Sequence, residues 1–413
     1  MQKGDTANLP NGWEIKKLGE VLNIERGGSP RPIEKYLTNS PDGINWIKIS
    51  DATVSNKYIY ETKEKINKNG LHKTRMVHNG DFVLSNSMSF GRPYIMKTSG
   101  CIHDGWLVLK QNNKVFETEF LYYLLSSPYV FMQFDYLAAG STVRNLNIAL
   151  VSSVQVPIPP LPEQQRIVSI LDECFTAIDK AKANAEQNLK NAKELFENYL
   201  KAVFENGKLK NGEWEEKQLK DIALVFGRGK SKHRPRNWSG LFGENYPFIQ
   251  TGEVRNANKY VTEYAQAYNE VGLAQSKLWE KGTICITIAA NIAETAILGF
   301  DACIPDSIIG LHVDPKKADL DFTYYLLQYF KSELQKLGKG SAQDNINLGT
   351  FENRFFPFPP LKEQQVLVHQ LDALRTETQK LESIYQKKIT NFEELKKSIL
   401  QKAFMGKLFS TSK

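Results

Sequence analysis

The heptapeptide "PPLPEQQ" spans Pro159 to Gln165, and "PPLKEQQ" spans Pro359 to Gln365. Each stands directly before a long, highly charged stretch. Prolines 157, 159 and 160 fix φ and restrain the residues before them, so the chain arrives extended. Pro162 suits a first helical turn, and Glu163 beside it complements the helix dipole. The heptapeptide therefore reads as a switch from one kind of structure into a helix, written twice.

The remainder of the chain repeats around it. "NGWEIKKLGEV" (Asn11 to Val21) matches "NGEWEEKQLKDI" (Asn211 to Ile222), and "NWIKISDATVSNKYI" (Asn45 to Ile59) matches "PFIQTGEVRNANKYV" (Pro247 to Val261). "EFLYYLL" (Glu119 to Leu125) matches "DFTYYLL" (Asp321 to Leu327), and "GSTVRNLNIALV" (Gly140 to Val151) matches "GSAQDNINLGTF" (Gly340 to Phe351). After the heptapeptide, "LKAVFENGKL" (Leu200 to Leu209) matches "LQKAFMGKL" (Leu400 to Leu408), and all offsets lie between 199 and 202. Drift this small over five blocks means duplication of the whole chain.

Each half has two parts. Its first portion alternates short β-branched and aromatic runs with Gly, Asn and Pro. "NWIKIS", "DFVLSN" and "GWLVLK" read as strands, and "ETEFLYYLLSS" as a short helix. Beyond the heptapeptide, Ile167, Leu171, Cys174, Ile178, Ala181, Ala185, Asn188, Ala192, Leu195 and Tyr199 step by four and three. Leu367, Leu371, Leu374, Thr378, Leu381, Tyr385, Lys388, Phe392, Leu395 and Ile399 repeat the steps. These are a/d seams of a coiled coil, with Asn188 and Lys388 as polar seam positions that would fix register. Helices of about forty residues, at ~1.5 Å per residue, run roughly 60 Å. Antiparallel pairing would set Ala185 near Tyr385 and place the two globular parts at opposite ends of a rod. The expected fold is α+β: two tandem α/β domains separated by two long helices in an antiparallel coiled coil, with pseudo-two-fold symmetry.

Composition limits the function classes. At 413 residues the chain exceeds a single hydrophobic core. With 41% hydrophobic and 24% charged residues it reads as globular rather than disordered. No apolar run reaches the length of a membrane span, and "MQKGDTANLPNGW" has no signal-peptide core. Cys101, Cys174, Cys285 and Cys303 show no close pairing, as expected in a reducing cytoplasm. A net charge of +7 permits a nucleic-acid partner without demanding one.

Three fragments resemble catalytic elements and fail on inspection. "FGRGKS" ends like a phosphate-binding loop, but Leu224 stands where the first glycine is required. Asp306, Asp314 and Lys316 imitate a metal-dependent nuclease, yet the other half lacks an equivalent. "PIPPL" lacks the amide that an amino-methyltransferase loop needs. The six histidines lack metal-ligand spacing. No catalytic residue and no metal site are expected on this chain.

What remains is recognition. "RGKSKHRPR" (Arg228 to Arg236) carries Arg228, Lys230, Lys232, Arg234 and Arg236, with Trp238 adjacent. At the corresponding place "ERGGSPRP" (Glu25 to Pro32) carries Arg26 and Arg31. Such Gly/Pro-rich loops approach phosphates closely while Arg reads guanine edges. The bland alternative is a solvated loop; its recurrence in both halves favours function. "SNSMSFGRP" offers Asn86 and Arg92. A third element offers Thr142, Arg144 and Asn145, against Gln343, Asp344 and Asn345 in the second half. There, Asn145 and Asn345 read equally well as turn caps.

The duplicated "PIPPLPEQQRIVSILDE" and "PFPPLKEQQVLVHQLDA", the "GSTVRNLN"-type element before each, and the "VFENGKL" and "AFMGKL" endings carry a resemblance to a known family. Over essentially its entire length the chain resembles the DNA-specificity subunits of Type I restriction–modification systems. The resemblance implies a first target-recognition domain over 1–156, a spacer helix over 157–207, a second recognition domain over 208–356 and a second spacer over 357–413. It implies Pro160, Glu163, Gln164, Pro360, Glu363 and Gln364 at a subunit-docking junction. It further implies a non-catalytic subunit that binds double-stranded DNA at a split site. Two methyltransferase subunits would dock on it, joined in restriction by two translocating subunits. S-adenosylmethionine, and ATP with Mg2+ for restriction, would belong to those partners. A duplicated protein–protein adaptor braced by a coiled coil is the competing reading, and the lack of a strongly basic face leaves it open.

Overall fold

A computed structural model describes residues 9–54, 57–87, 90–111, 113–139, 145–209, 214–233, 235–289, 292–339 and 347–408. They form two compact units: 1–186 together with 387–413, and 187–386. Both cuts fall inside the long helices, Leu161–Leu209 (49 residues) and Leu361–Phe404 (44 residues). Each unit thus contains one globular domain, the beginning of one long helix and the end of the other. Among the described residues no helix is long and apolar enough to cross a membrane.

In the first unit, strand Leu22–Arg26 edges a five-stranded sheet that continues through Trp106–Gln111, Phe82–Ser85, Pro93–Met96 and Tyr58–Ile59. A four-stranded sheet runs Glu64–Ile66, Ile44–Ile47, Gly100–Ile102 and Arg75–Val77. "FVLS" is buried at all four positions, so it reads as a continuous apolar run rather than an alternation. A separate ribbon pairs Glu14–Lys17 with Gln155–Ile158. It ties the domain's start to its end immediately before Pro159.

The second unit repeats the plan. Its five-stranded sheet runs Ala223–Arg228, Ile308–Val313, Ile284–Thr287, Thr295–Leu298 and Tyr260–Val261, and its ribbon pairs Glu215–Gln218 with Phe355–Phe358. One difference is legible in sequence. Helices Thr118–Leu125 and Pro128–Ala138 are separate, with Ser127 capping the second, whereas Leu320–Lys339 is continuous. Pro128 removes a backbone donor and restricts Ser127; Phe330, its counterpart, does neither.

The helix ends pair antiparallel within each unit. In the first, Lys396 Nζ meets Asp179 at 2.5 Å and Lys182 Nζ meets Glu393 at 2.7 Å, so partner numbers fall as the helix advances. Ile167 and Leu171 share that core with Ala403 and Phe404. In the second, the Tyr199 hydroxyl donates to Gln370 at 3.0 Å, and Leu371 shares a core with Phe196, Leu200 and Phe204. Phe404 packs edge-on against Phe120 at 5.4 Å, and Phe204 lies 5.6 Å from Phe322.

The seam departs from the expected heptad. Ile167, Leu171, Ile178 and Leu371 are buried, and Tyr385 and Phe392 partly so. Leu195 is 50% exposed and Leu381 37%, while Phe196 takes the inward position at 6%. Asn188 and Lys388 also face outward, with Leu189 and Ile389 turned inward in their place. An α-helix drifts about 20° per heptad from a strict 3.5-residue repeat. Over about three to four heptads the buried stripe therefore moves by most of the angle between neighbouring residues, and Leu189 and Phe196 replace Asn188 and Leu195.

The junction also differs from expectation. Gln164 and Gln364 are buried and face the domain, so they do not present themselves for docking. Gln164 accepts from Glu117 N at 2.8 Å and donates to the Val115 and Pro159 carbonyls at 2.9 Å. Gln364 accepts from Asp319 N at 2.8 Å and donates to Pro359 O at 2.7 Å. Each amide satisfies the carbonyl before the helix entry and, across the junction, backbone groups at the start of the domain helix, so it ties the two together. Pro160 and Pro360 are exposed, Glu163 pairs with Arg166, and Glu363 accepts from Trp214 Nε1 at 3.3 Å.

Two repeated blocks meet on the long helices. Lys259 pairs with Asp321 at 3.1 Å and with Asp372 at 2.7 Å, and its ammonium lies 4.9 Å from the Tyr325 ring centre. The Tyr325 hydroxyl donates to Asp372 at 2.5 Å and that of Tyr260 to Asp321 at 2.8 Å. The first unit rebuilds this with Lys57, Glu119, Tyr58, Tyr123 and Asp172. Burial first, then the neighbouring carboxylate, pushes the Tyr123 and Tyr325 phenols above their ordinary range.

Candidate nucleic-acid interface

Strands Leu22–Arg26 and Ala223–Arg228 each run into the loop that carries the arginines. In both units that loop packs on a short connection between two other strands, Gly100–Ile102 to Trp106–Gln111 in the first and Ala302–Cys303 to Ile308–Val313 in the second. Gly27 N donates to Trp106 O and Gly28 N to Ile102 O; Gly229 N donates to Ile308 O and Lys230 N to Ile304 O. A Cβ on Gly27 would stand 2.1 Å from His103 O, and one on Gly229 would stand 2.3 Å from Ile304 O. Glycine is required there because the two backbones touch.

One aspartate organises each loop. Arg26 Nε donates to the Asp104 carbonyl at 3.0 Å, Ser29 Oγ donates to Asp104 Oδ1 at 2.7 Å, and Arg31 Nη2 reaches Oδ2 at 3.4 Å. In the second unit Arg228 donates to the Asp306 carbonyl through Nε at 2.9 Å and Nη2 at 2.6 Å. Arg236 Nη2 donates to both Asp306 carboxylate oxygens, at 2.7 and 2.8 Å. The Ser29 hydrogen bond, then His103, holds the Asp104 carboxyl below its ordinary range despite some burial.

Asp306 is therefore an arginine partner. Asp314 lies beyond strand Ile308–Val313, which at ~3.3 Å per residue puts about 20 Å between the two carboxylates. They cannot share a metal ion.

The remaining candidates divide clearly. Arg26, Arg31, Arg92, Asn145, Arg228, Lys230, Lys232 and Arg236 are exposed. Thr142, Arg144, Arg234, Gln343, Asp344 and Asn345 lie outside the described residues. Asn86 is 1% exposed; its Nδ2 donates to Asp104 O at 3.0 Å, so it supports the loop from inside. The helix caps are Asn147, accepting from Leu150 N, and Asn347, accepting from Thr350 N. The cap thus falls two residues after Asn145 and Asn345. Beside Arg236, the His233 ring stacks on the half-exposed Trp238 at 4.8 Å.

The same backbone carries different side chains in the two units. Gly91 (φ +78°) and Ala293 (φ +60°) make the same turn, closed by Gly91 N to Ser85 O and Ala293 N to Thr287 O. The next residue is an exposed Arg92 in one unit and Glu294, paired with Lys331 at 2.8 Å, in the other. Asn86 is matched by Ile288, whose N donates to Ser307 O as Asn86 N donates to Gly105 O. Sequence reading missed Asp104. The signal was available in "CIHD" (Cys101 to Asp104) against "CIPD" (Cys303 to Asp306), at the same offset as Arg26 and Arg228.

Comparison with known proteins agrees with this duplicated plan. The model of the family described as Type I restriction modification DNA specificity domain matches residues 10–190 and again 211–391. The MjaVIII specificity subunit of a type I restriction enzyme from Methanocaldococcus jannaschii is 24% identical over 428 residues, covering 97% of this chain and 94% of that one. A solved chain from work on complex assembly and conformational transition of the type I R-M system shares the fold with a TM-score of 0.79, at 22% identity over 97% of this chain and all of that one. The HsdS subunit from Thermoanaerobacter tengcongensis shares it with a TM-score of 0.62, at 22% identity over 99% of this chain and 100% of that one. With both of its repeats matched, the chain belongs to the Type I restriction–modification DNA specificity family.

Proposed function

We propose that the chain reads a split, asymmetric double-stranded DNA site, one unlike half-site per unit, and performs no chemistry itself. The observation that carries this is the pairing of one loop scaffold with two sets of exposed groups. Arg31 and Arg92 in one unit stand against Arg236 and Lys232 in the other, where Glu294, largely buried and paired with Lys331, replaces Arg92. A scaffold kept while its hydrogen-bonding groups change is what two different readouts need. Two identical readers would give a palindrome.

In this reading the recognition domains are 1–156 and 208–356. The helical segments 157–207 and 357–413 dock two methyltransferase subunits, through surfaces that include the exposed Pro160 and Pro360. Those subunits supply S-adenosylmethionine chemistry on adenine. Restriction subunits that use ATP and Mg2+ join the same assembly in the cytoplasm. Purified chain, its methyltransferase partner and S-adenosylmethionine should together methylate DNA at one split motif. Methyl transfer by the chain alone would overturn this division of labour.

A further inference from the structure

The loop arginines meet an anion before any DNA arrives. Arg236 holds both oxygens of Asp306, and Arg31 reaches Asp104, in pairs that stay open to solvent: the side chains are 50% and 32% exposed in one, 81% and 42% in the other. The pairs are reached by different routes. Arg31 lies five residues after Arg26, whereas Arg236 lies eight after Arg228, yet both return to the equivalent aspartate. In the second unit Arg228 already fastens the strand end to the Asp306 carbonyl, and Gln275 and Ser276 hold the loop backbone. In the first unit Ser29 and Arg26 already fasten the loop to Asp104, and Arg31 adds a 3.4 Å contact at its rim.

We propose that Asp104 and Asp306 are specificity-determining positions: each occupies a loop arginine that would otherwise bind any phosphate, and yields it only where the correct sequence supplies further contacts. This rests on the DNA-reading assignment above. A carboxylate and a phosphodiester offer a guanidinium the same kind of anionic oxygens, so they compete for one fork. The carboxylate also repels the approaching backbone. Both effects weaken sequence-independent binding, which consists almost wholly of phosphate contacts. Because the pairs are exposed, they are weak enough to exchange.

The test is binding of the full-length chain to a random-sequence duplex over a salt series. Asp306→Asn should raise affinity about two- to five-fold at low salt, the range set by exposed ion pairs. It should also steepen the salt dependence by about one phosphate contact. Adding Arg236→Gln should abolish both gains. A purely structural aspartate predicts equal or weaker binding and an unchanged slope in folded Asp306→Asn, and that result overturns the proposal. If circular dichroism shows this variant unfolded, Asp104→Asn decides in the other unit, where no gain is again fatal. Wild-type chain that binds no duplex at any salt sinks the DNA reading itself. Wild-type binding that ignores both Asn variants sinks only the specificity role.

Discussion

Arg236 and Lys232 stand exposed on a loop whose backbone is fixed from behind. Gln275 Oε1 accepts from Lys232 N at 2.7 Å and from His233 N at 3.1 Å, and Ser276 donates to Lys230 O at 2.9 Å. Substitution of Lys232 therefore removes charge without loosening the loop, whereas substitution of Arg236 also removes its two hydrogen bonds to Asp306. Lys232→Ala should weaken binding to any duplex, and Arg236→Ala binding to duplex that carries the recognised site, each flattening the salt dependence there by about one contact. Equilibrium binding at several salt concentrations checks this; an unchanged slope removes that residue from the interface. Such residues were legible in sequence because a Lys/Arg cluster on a Gly/Pro loop, recurring at one place in two repeats, is visible without coordinates. Their partners were not. Asp104 lies 78 residues from Arg26, and Asn86 looks like a base reader until the burial of its amide is known.

The long helices hold the domain helices through buried tyrosines and phenylalanines. Tyr325 is 2% exposed, and its hydroxyl joins the domain helix to Asp372 on the long helix. Tyr325→Phe should cost about 1.5–3 kcal/mol, the range for a hydrogen bond to a charged group. Phe204→Ala and Phe404→Ala, each at a fully buried helix end, should cost about 3–5 kcal/mol by cavity formation. Denaturant unfolding measures both. The tyrosines also set an alkaline limit. Their phenols are raised in the folded state by burial and then by carboxylates, and for Tyr324, by burial, up to about 12. Their contribution is complete below the ordinary phenol value near 10 and is lost as pH rises through the folded values. Stability should thus fall above roughly pH 10, and less steeply in Tyr325→Phe; parallel pH profiles would contradict this. Sequence showed that the helices exist and where they start. The heptad pattern misplaced Leu195 and Leu381 because periodicity reports an ideal repeat, while burial follows the true helical pitch and the neighbours available. The tyrosine cluster was hidden because its members come from three repeated blocks that only the fold brings together.

At the scale of the whole chain, duplication is the governing fact. Every major element of one unit has a counterpart in the other, and both long helices begin in one unit and end in the other. Removing matched heptads from both helices should change the number of unread base pairs between half-sites and leave the half-sites themselves intact. In the proposed function one chain carries two dissimilar readers. Sequencing-based mapping of methylated adenines on a randomised DNA library, using this chain with a methyltransferase partner, tests this. A single motif of two unlike half-sites separated by a fixed run of unread positions is expected. A palindromic motif, or one continuous block, would contradict it.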